Sequence, residues 1–149
     1  MAKYKDALKF FHAYIHEMID VGGPNLPKSI SASLGAKLGK ILKNHEVTGV
    51  KNSLKMISDG LKAKTKIKSL DDEEFEVLLS YKSNFCPLGG EFNPDRSKII
   101  QTTICVPYIT AILNTLHSDL KFTAKILDCI LNSNEKICRY KLTTEEKKT

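Results

Sequence analysis

The sequence predicts an α+β fold, an antiparallel sheet with N-terminal helices and one later helix packed on it. Three observations carry this reading. Helical periodicity fills the first 62 residues, strand-like segments follow residue 64, and no regular β–α–β alternation appears. The last point argues against a doubly wound parallel sheet.

Each element has its own signal. Tyr4, Leu8, Phe11, Ile15 and Met18 recur at steps of three and four, which places them on one helix face. Val21-Gly22-Gly23-Pro24 ends that helix. Ile30, Leu34, Leu38, Ile41 and Leu42 mark a second helix, with Ser29 as its N-cap. Gly35 and Gly39 lie one turn apart on it, where small residues let another backbone approach. Each costs about 1 kcal/mol of helix propensity, so a packing reason is expected. Val47, Val50, Leu54, Ile57 and Leu61 mark a third helix that ends near Gly60.

Lys64 to Leu70 and Phe75 to Tyr81 then read as strands around the acidic turn Asp71-Asp72-Glu73-Glu74. Ser83 to Ser97 is expected to be irregular. A fourth helix follows from Ile104 to His117, with Pro107 in its first turn, where a missing N–H does no harm. Phe122 to Leu131 and Lys136 to Leu142 form a terminal hairpin around Asn132-Ser133-Asn134-Glu135. Residues 1–142 are read as one domain and 143–149 as a polar tail that frays.

The 149-residue length suits a single domain and allows burial of roughly 70% of the unfolded surface, so no disulfides are required. The start of the chain shows no apolar stretch behind a basic segment, and apolar runs such as Ile109 to Leu113 are short. A cytoplasmic protein with no membrane span is expected. The net charge of +6 comes almost wholly from lysine, since Arg96 and Arg139 are the only arginines. Arginine is the better residue for forked phosphate and base-edge contacts, and the lysines fall between apolar positions. No specific nucleic-acid partner is expected.

The chemistry-bearing residues are the four cysteines, Cys86, Cys105, Cys129 and Cys138. None forms a CxxC pair. With Ser133 and Asn134 central in the hairpin turn, Cys129 faces Cys138. Opposed Cβ atoms stand roughly 4.5–5.5 Å apart, a span suited to two thiolates on one metal ion. Cys105 before a helix and Cys86 in a Pro-Gly loop are placed to complete such a set. The plain alternative is that all four are small buried hydrophobes.

His12 and His16 share a helix face without an intervening Glu and read as solvated. His117-Ser118-Asp119 has triad letters, but adjacent residues do not converge as a triad must. There is no P-loop, no dinucleotide fingerprint and no nucleophile with an identifiable base. An enzyme is therefore not the expected class.

The segment Thr103-Ile104-Cys105-Val106-Pro107-Tyr108, its helix, and Ile126-Leu127-Asp128-Cys129-Ile130 through Lys136-Ile137-Cys138-Arg139-Tyr140 resemble the end of the 4-vinyl reductase domain family. The Gly35-Ala36-Lys37-Leu38-Gly39 helix is similar to that family's N-terminal helix. The resemblance implies an α+β domain related to transport protein particle subunits, an interior pocket for a small apolar or aromatic ligand, and a homodimer. Stand-alone members are described as hydrocarbon-binding proteins. It also implies a zinc held by cysteines matching Cys105, Cys129 and Cys138. The family's carboxylate ligand falls on Ile126, which cannot ligate, and Asp128 is expected on the other face of its strand. Cys86 would then complete a structural zinc site. Phe75, Val77, Phe85, Ile109, Ile112, Leu113 and Leu116 are the expected ligand-binding residues. The alternative is a non-enzymatic scaffold resembling vesicle-tethering subunits, which predicts a large apolar surface patch instead of a ligand cavity.

Overall fold

The computed structural model describes residues 2–45, 49–133 and 135–147, with side chains from residue 7 onward. The expected roles of Tyr4, Val47 and Asn134 lie outside these descriptions. Three helices come first, α1 (Ala2–Gly22), α2 (Asn25–Lys43) and α3 (Val50–Gly60). Strands β1 (Lys64–Ser69) and β2 (Glu74–Ser80) follow, then a small hairpin of β3 (Phe85–Cys86) and β4 (Gly90–Glu91). A long helix is built from α4 (Pro94–Ile100), a π-helical turn (Gln101–Cys105) and α5 (Val106–Leu116). The chain ends with β5 (Leu120–Asp128), the single-turn α6 (Ile130–Ser133) and β6 (Ile137–Glu146). The four long strands form one antiparallel sheet in the order β1-β2-β6-β5. The α+β architecture is the one the sequence predicts.

The sheet is one-sided. Val77, Leu79, Phe122, Tyr140 and Leu142 point inward and are buried, while Lys64, Lys66 and Lys68 alternate outward on the edge strand β1. Against the inner face lie Ile109, Ile112 and Leu113 of α5 with Leu54 and Ile57 of α3. A second cluster joins Ile15 and Ile19 of α1 to Ile100, Ile104, Cys129 and Leu131.

Helix α2 rests on α5 through its two glycines. A Cβ at Gly35 would stand 2.5 Å from the Tyr108 carbonyl oxygen and 3.0 Å from the Ala111 Cβ. One at Gly39 would meet the Thr115 Cβ at 2.7 Å. Residue numbers rise together along the contact, so the helices run parallel. The close approach expected of this glycine pair is made by α5.

Several elements differ from expectation. The buried line of α1 is His12, Ile15 and Ile19, whereas Phe11 is exposed. His12 turns inward because its Nε2 bonds the Pro87 carbonyl at 3.0 Å, so it is not solvated. Helix α2 begins at Asn25, ahead of the expected Ser29 cap. The long helix begins at Pro94 inside the segment expected to be irregular. Pro107 therefore sits mid-helix, where its absent N–H removes an i→i−4 bond. The π turn accommodates this: the Val106 N–H bonds the Gln101 carbonyl, five residues back. The whole segment, Pro94–Leu116, is long and apolar enough by composition to cross a membrane, a property that counting unbroken apolar runs misses. Here it is a core helix, with Ile100, Ile104, Ile109, Ile112 and Leu113 buried.

The terminal hairpin also departs from a plain ladder. Asp128 pairs with Arg139 in the expected register, but a bulge at Leu127 shifts Ile126 onto Tyr140. Cys129 leaves the ladder and α6 replaces the expected end of the strand. β6 continues through Glu146, paired with β2 up to Thr143 and with β5 up to Glu146, so the strand outruns the expected boundary at Leu142.

Replacing Gly35 by Ala is predicted to destabilise the protein by about 1–3 kcal/mol, since backbone must shift to admit the methyl. Gly60→Ala, with open space around it, should not lower stability. Urea titration of both variants checks the pair.

Candidate functional site

The four cysteines come from four different parts of the fold and meet at one end of the sheet. Cys86 is in β3, Cys105 closes the π turn, Cys129 follows β5 and Cys138 lies on β6 opposite Leu79. Cys86 and Cys129 are buried, and Cys105 and Cys138 are partly so. All four are free thiols. Burial pushes the Cys105 thiol far above its ordinary value, and Cys86, Cys138 and Cys129 push it further. Cys138 is raised by burial, then by Cys86, Cys129 and Asp128. Cys86 is raised by burial, partly offset by the Leu88 and Gly89 amides, with Cys129 adding to the rise. Tyr81 sits in the same environment. Burial lifts its phenol, with Cys86, Cys138 and Cys105 adding to the effect.

Burial thus holds Cys86, Cys105 and Cys138 in the protonated form at neutral pH. A thiolate is the form that attacks substrates or binds metal, so these three are not activated nucleophiles. Among the described residues no group of three or more His, Cys, Asp or Glu side chains is spaced to hold a metal ion. Cys86, Cys105, Cys129 and Cys138 share one region of the fold. The coordination set expected for zinc is not assembled there, because the bulge and α6 take Cys129 out of its place opposite Cys138. Asp128 faces away, as expected. The cause is the bulge, since two residues beyond Ile126 an unbroken strand would return to the same face. On the outer face Asp128 accepts from Arg139 Nε at 2.7 Å, and Arg139 also donates to Glu76 at 3.1 Å.

The expected ligand-binding residues lie mainly in packed core. Val77, Ile112 and Leu113 have no exposure and Ile109 is buried beside them. Phe75 and Leu116 pack against this cluster. Phe85 is the exception, because it lines a cavity of about 350 Å³ between α1 and the β3–β4 hairpin. His12 and His16 share that cavity. Burial lowers the pKa of both imidazoles, and the bond to Pro87 offsets part of the effect at His12. A larger groove, about 650 Å³, lies between α2, α5 and β5 and uses none of the expected residues.

His117 is not part of a local triad. Its Nε2 lies 2.8 Å from Ser53 Oγ, which donates to the Gly49 carbonyl at 3.1 Å. Ser53 is fully buried, so the pair ties α3 to the end of α5 and offers no accessible hydroxyl. Its members are 64 residues apart, beyond the reach of local sequence patterns.

The surface carries an apolar stripe that includes Phe11, Ile30, Leu34 and Ile41 of the periodic helix faces. Phe10, Phe11, Tyr14 and Val21 of α1 and Leu26, Ile30, Leu34 and Ile41 of α2 are exposed. Phe10 keeps 76% of its surface and Val21 keeps 80%. On α1 most of this stripe lies opposite the His12–Ile15–Ile19 line. On α2 it lies away from the glycines.

No family model and no curated protein matches the chain. Among solved structures, its fold is similar to that of a trafficking protein particle complex subunit 3 from Naegleria fowleri, crystallised covalently bound to palmitic acid. The TM-score is 0.67 over 97% of this chain and 96% of that one, at 11% identity. At that identity the likeness establishes a shared fold.

Raised thiol pKa values stabilise the folded state below the ordinary value of 9.0, and this stabilisation is lost as pH rises above it. The urea midpoint is predicted to fall steadily from pH 8 to pH 10. Alkylation by iodoacetamide at pH 8 should be slow until denaturant is added. Rapid alkylation of the folded protein would show ionised, accessible thiols instead.

Proposed function

We propose that this protein is a non-catalytic assembly module that pairs through the outer face of α1 and α2, with a second copy as its simplest partner, in the manner of a vesicle-tethering complex subunit. The observation that carries the reading is the exposed apolar stripe on these two helices. Aromatic side chains each offer roughly 150–250 Å² and aliphatic ones somewhat less. At their observed exposures the eight residues present on the order of 800 Å² of apolar surface, the share of one partner in a standard interface. Monomeric proteins rarely expose so large an apolar patch. The whole-chain likeness to a subunit of a multi-protein complex supports the same reading. In this account the buried thiols are core residues.

A second reading is favoured by the convergence of the thiols. It makes the chain an apolar-ligand-binding domain of 4-vinyl reductase type, with a structural zinc on Cys105, Cys129, Cys138 and Cys86. That reading requires the side chains to close onto a metal and to lose their protons on doing so.

Native mass spectrometry of protein purified without added metal separates the two. The assembly reading predicts a metal-free dimer. Tyr14→Glu combined with Leu34→Glu should yield a folded monomer, because both positions are exposed in the single chain. A wild-type monomer would overturn it. One zinc per chain, lost in Cys129→Ser or Cys138→Ser, would establish the second reading.

A further inference from the structure

The sheet is open along β5. In the order β1-β2-β6-β5 this strand of 9 residues pairs with β6 on one side only. The hydrogen bonds of β6 show which groups of β5 are left over. Thr144 donates its N–H to the Glu73 carbonyl on the β2 side at 2.8 Å, and Lys147 donates to the Asp119 carbonyl on the β5 side at 3.0 Å. Backbone groups alternate along a strand, so Thr143 and Lys141 face β5, and their partners Thr123 and Lys125 face back at them. Phe122, Ala124 and Ile126 therefore turn their N–H and C=O groups to the open side. Among the described residues no strand or turn pairs with those groups. An unpaired edge of this kind is a template for a further strand.

The two faces of the edge differ in chemistry. Phe122, Ala124 and Ile126 carry their side chains on the inner face, and beside Ala124 the 650 Å³ groove opens toward α2 and α5. Ala32, Val106, Pro107 and Ala111 wall it. Thr102 and Thr110 complete the wall with their hydroxyls turned back on the helix. Thr102 donates to the Lys98 carbonyl at 3.1 Å and Thr110 to the Val106 carbonyl at 2.7 Å. On the outer face the exposed Lys125 stands opposite Lys141, which is itself paired with Glu74 at 3.2 Å. Among the described residues Lys125 has no ion-pair partner. Glu145 stands opposite Lys121, so the excess positive charge lies toward Lys125. The exposed Lys28 stands on the rim of the groove, and no carboxylate lines it.

We infer that β5 accepts a fifth strand, an extended segment of a partner polypeptide in which apolar residues alternate with acidic ones. Paired antiparallel, the residue opposite Ala124 exchanges both backbone hydrogen bonds with it and sends its side chain into the groove. The residues flanking it point to the outer face, where a carboxylate meets Lys125 and offsets the opposition of Lys141. A second copy is the poorer occupant, since two β5 strands paired at Ala124 would crowd Lys121 and Lys125 of both chains onto one face. The site does not depend on the assembly reading, which uses other residues of α2.

The test is fluorescence anisotropy of a fluorescein-labelled peptide amide, Glu-Val-Glu-Leu-Glu-Val-Glu, titrated with the full chain. Saturable binding is expected, and the same peptide with Lys in place of Glu should bind at least tenfold more weakly. N-methylation of the valines and the leucine should abolish binding, because their N–H groups face β5. N-methylation of the central glutamates should be tolerated. Lys125→Glu should weaken the acidic peptide about tenfold. Ala124→Pro should abolish binding while the protein stays folded, since proline is tolerated on an edge strand where its nitrogen faces solvent. No saturable binding up to about 1 mM overturns the site. Equal loss from both patterns of N-methylation, or from neither, overturns strand addition and leaves charge attraction alone. Peptide affinity that falls as protein concentration rises would give the edge to a second copy and overturn the acidic partner.

Discussion

The contact of α2 with α5 through Gly35 and Gly39 constrains most of what surrounds it. With Tyr108 carbonyl oxygen and Thr115 Cβ occupying the space where side chains would stand, α2 has one orientation available. Rotating it would drive a larger residue into the backbone of α5. That orientation sends Leu26, Ile30, Leu34 and Ile41 away from the core. It also places Lys28 and Ala32 along the side of α5 and opens the groove beside β5. The exposed stripe and the groove are thus two consequences of one packing decision. Helix α1 carries exposed apolar residues of its own, because its inward side is fixed by the His12–Pro87 bond and by Ile15 and Ile19 against the second core cluster.

The thiol cluster follows from a different local event. The bulge at Leu127 ends the β5–β6 ladder at Asp128 and Arg139. Asp128 turns outward into an ion pair with Arg139, shared by Glu76, and Cys129 turns inward. Four thiols then share this region with Tyr81, and charge on Cys86, Cys105 or Cys138 is opposed by burial and by neighbouring thiols. Such an arrangement favours neutral, inert sulfur.

The fold was legible wherever the signal was local. The alternation in β1 and β2, the acidic turn between them, and the glycine pair in α2 each point to the structure directly. So does the periodicity of α5, although the helix containing it starts ten residues earlier. Pro107 has the sequence signature of a first-turn proline, but a π turn lets the helix run through it. The site was less legible because its determinants are distant. Phe11 and Ile15 look equivalent in a helical repeat. Only the packing of His12 on Pro87, 75 residues away, decides which of them faces inward. Leu34 and Ile41 match the core pattern as well as Leu38 does. A periodic stripe cannot distinguish burial inside the chain from burial against a partner. The groove has no sequence signature at all, since alanines and threonines with satisfied hydroxyls look like ordinary helix surface.

In the proposed assembly the outer face of α1 and α2 is covered by a partner, while α5 is covered by the chain itself. Amide hydrogen exchange compared between the wild-type protein and Leu34→Glu tests this most directly. Faster exchange is expected along α1 and α2 in the variant, with α5 and the sheet unchanged. Equal exchange in the two proteins would contradict it, because α1 and α2 would then be as open to solvent before the substitution as after it.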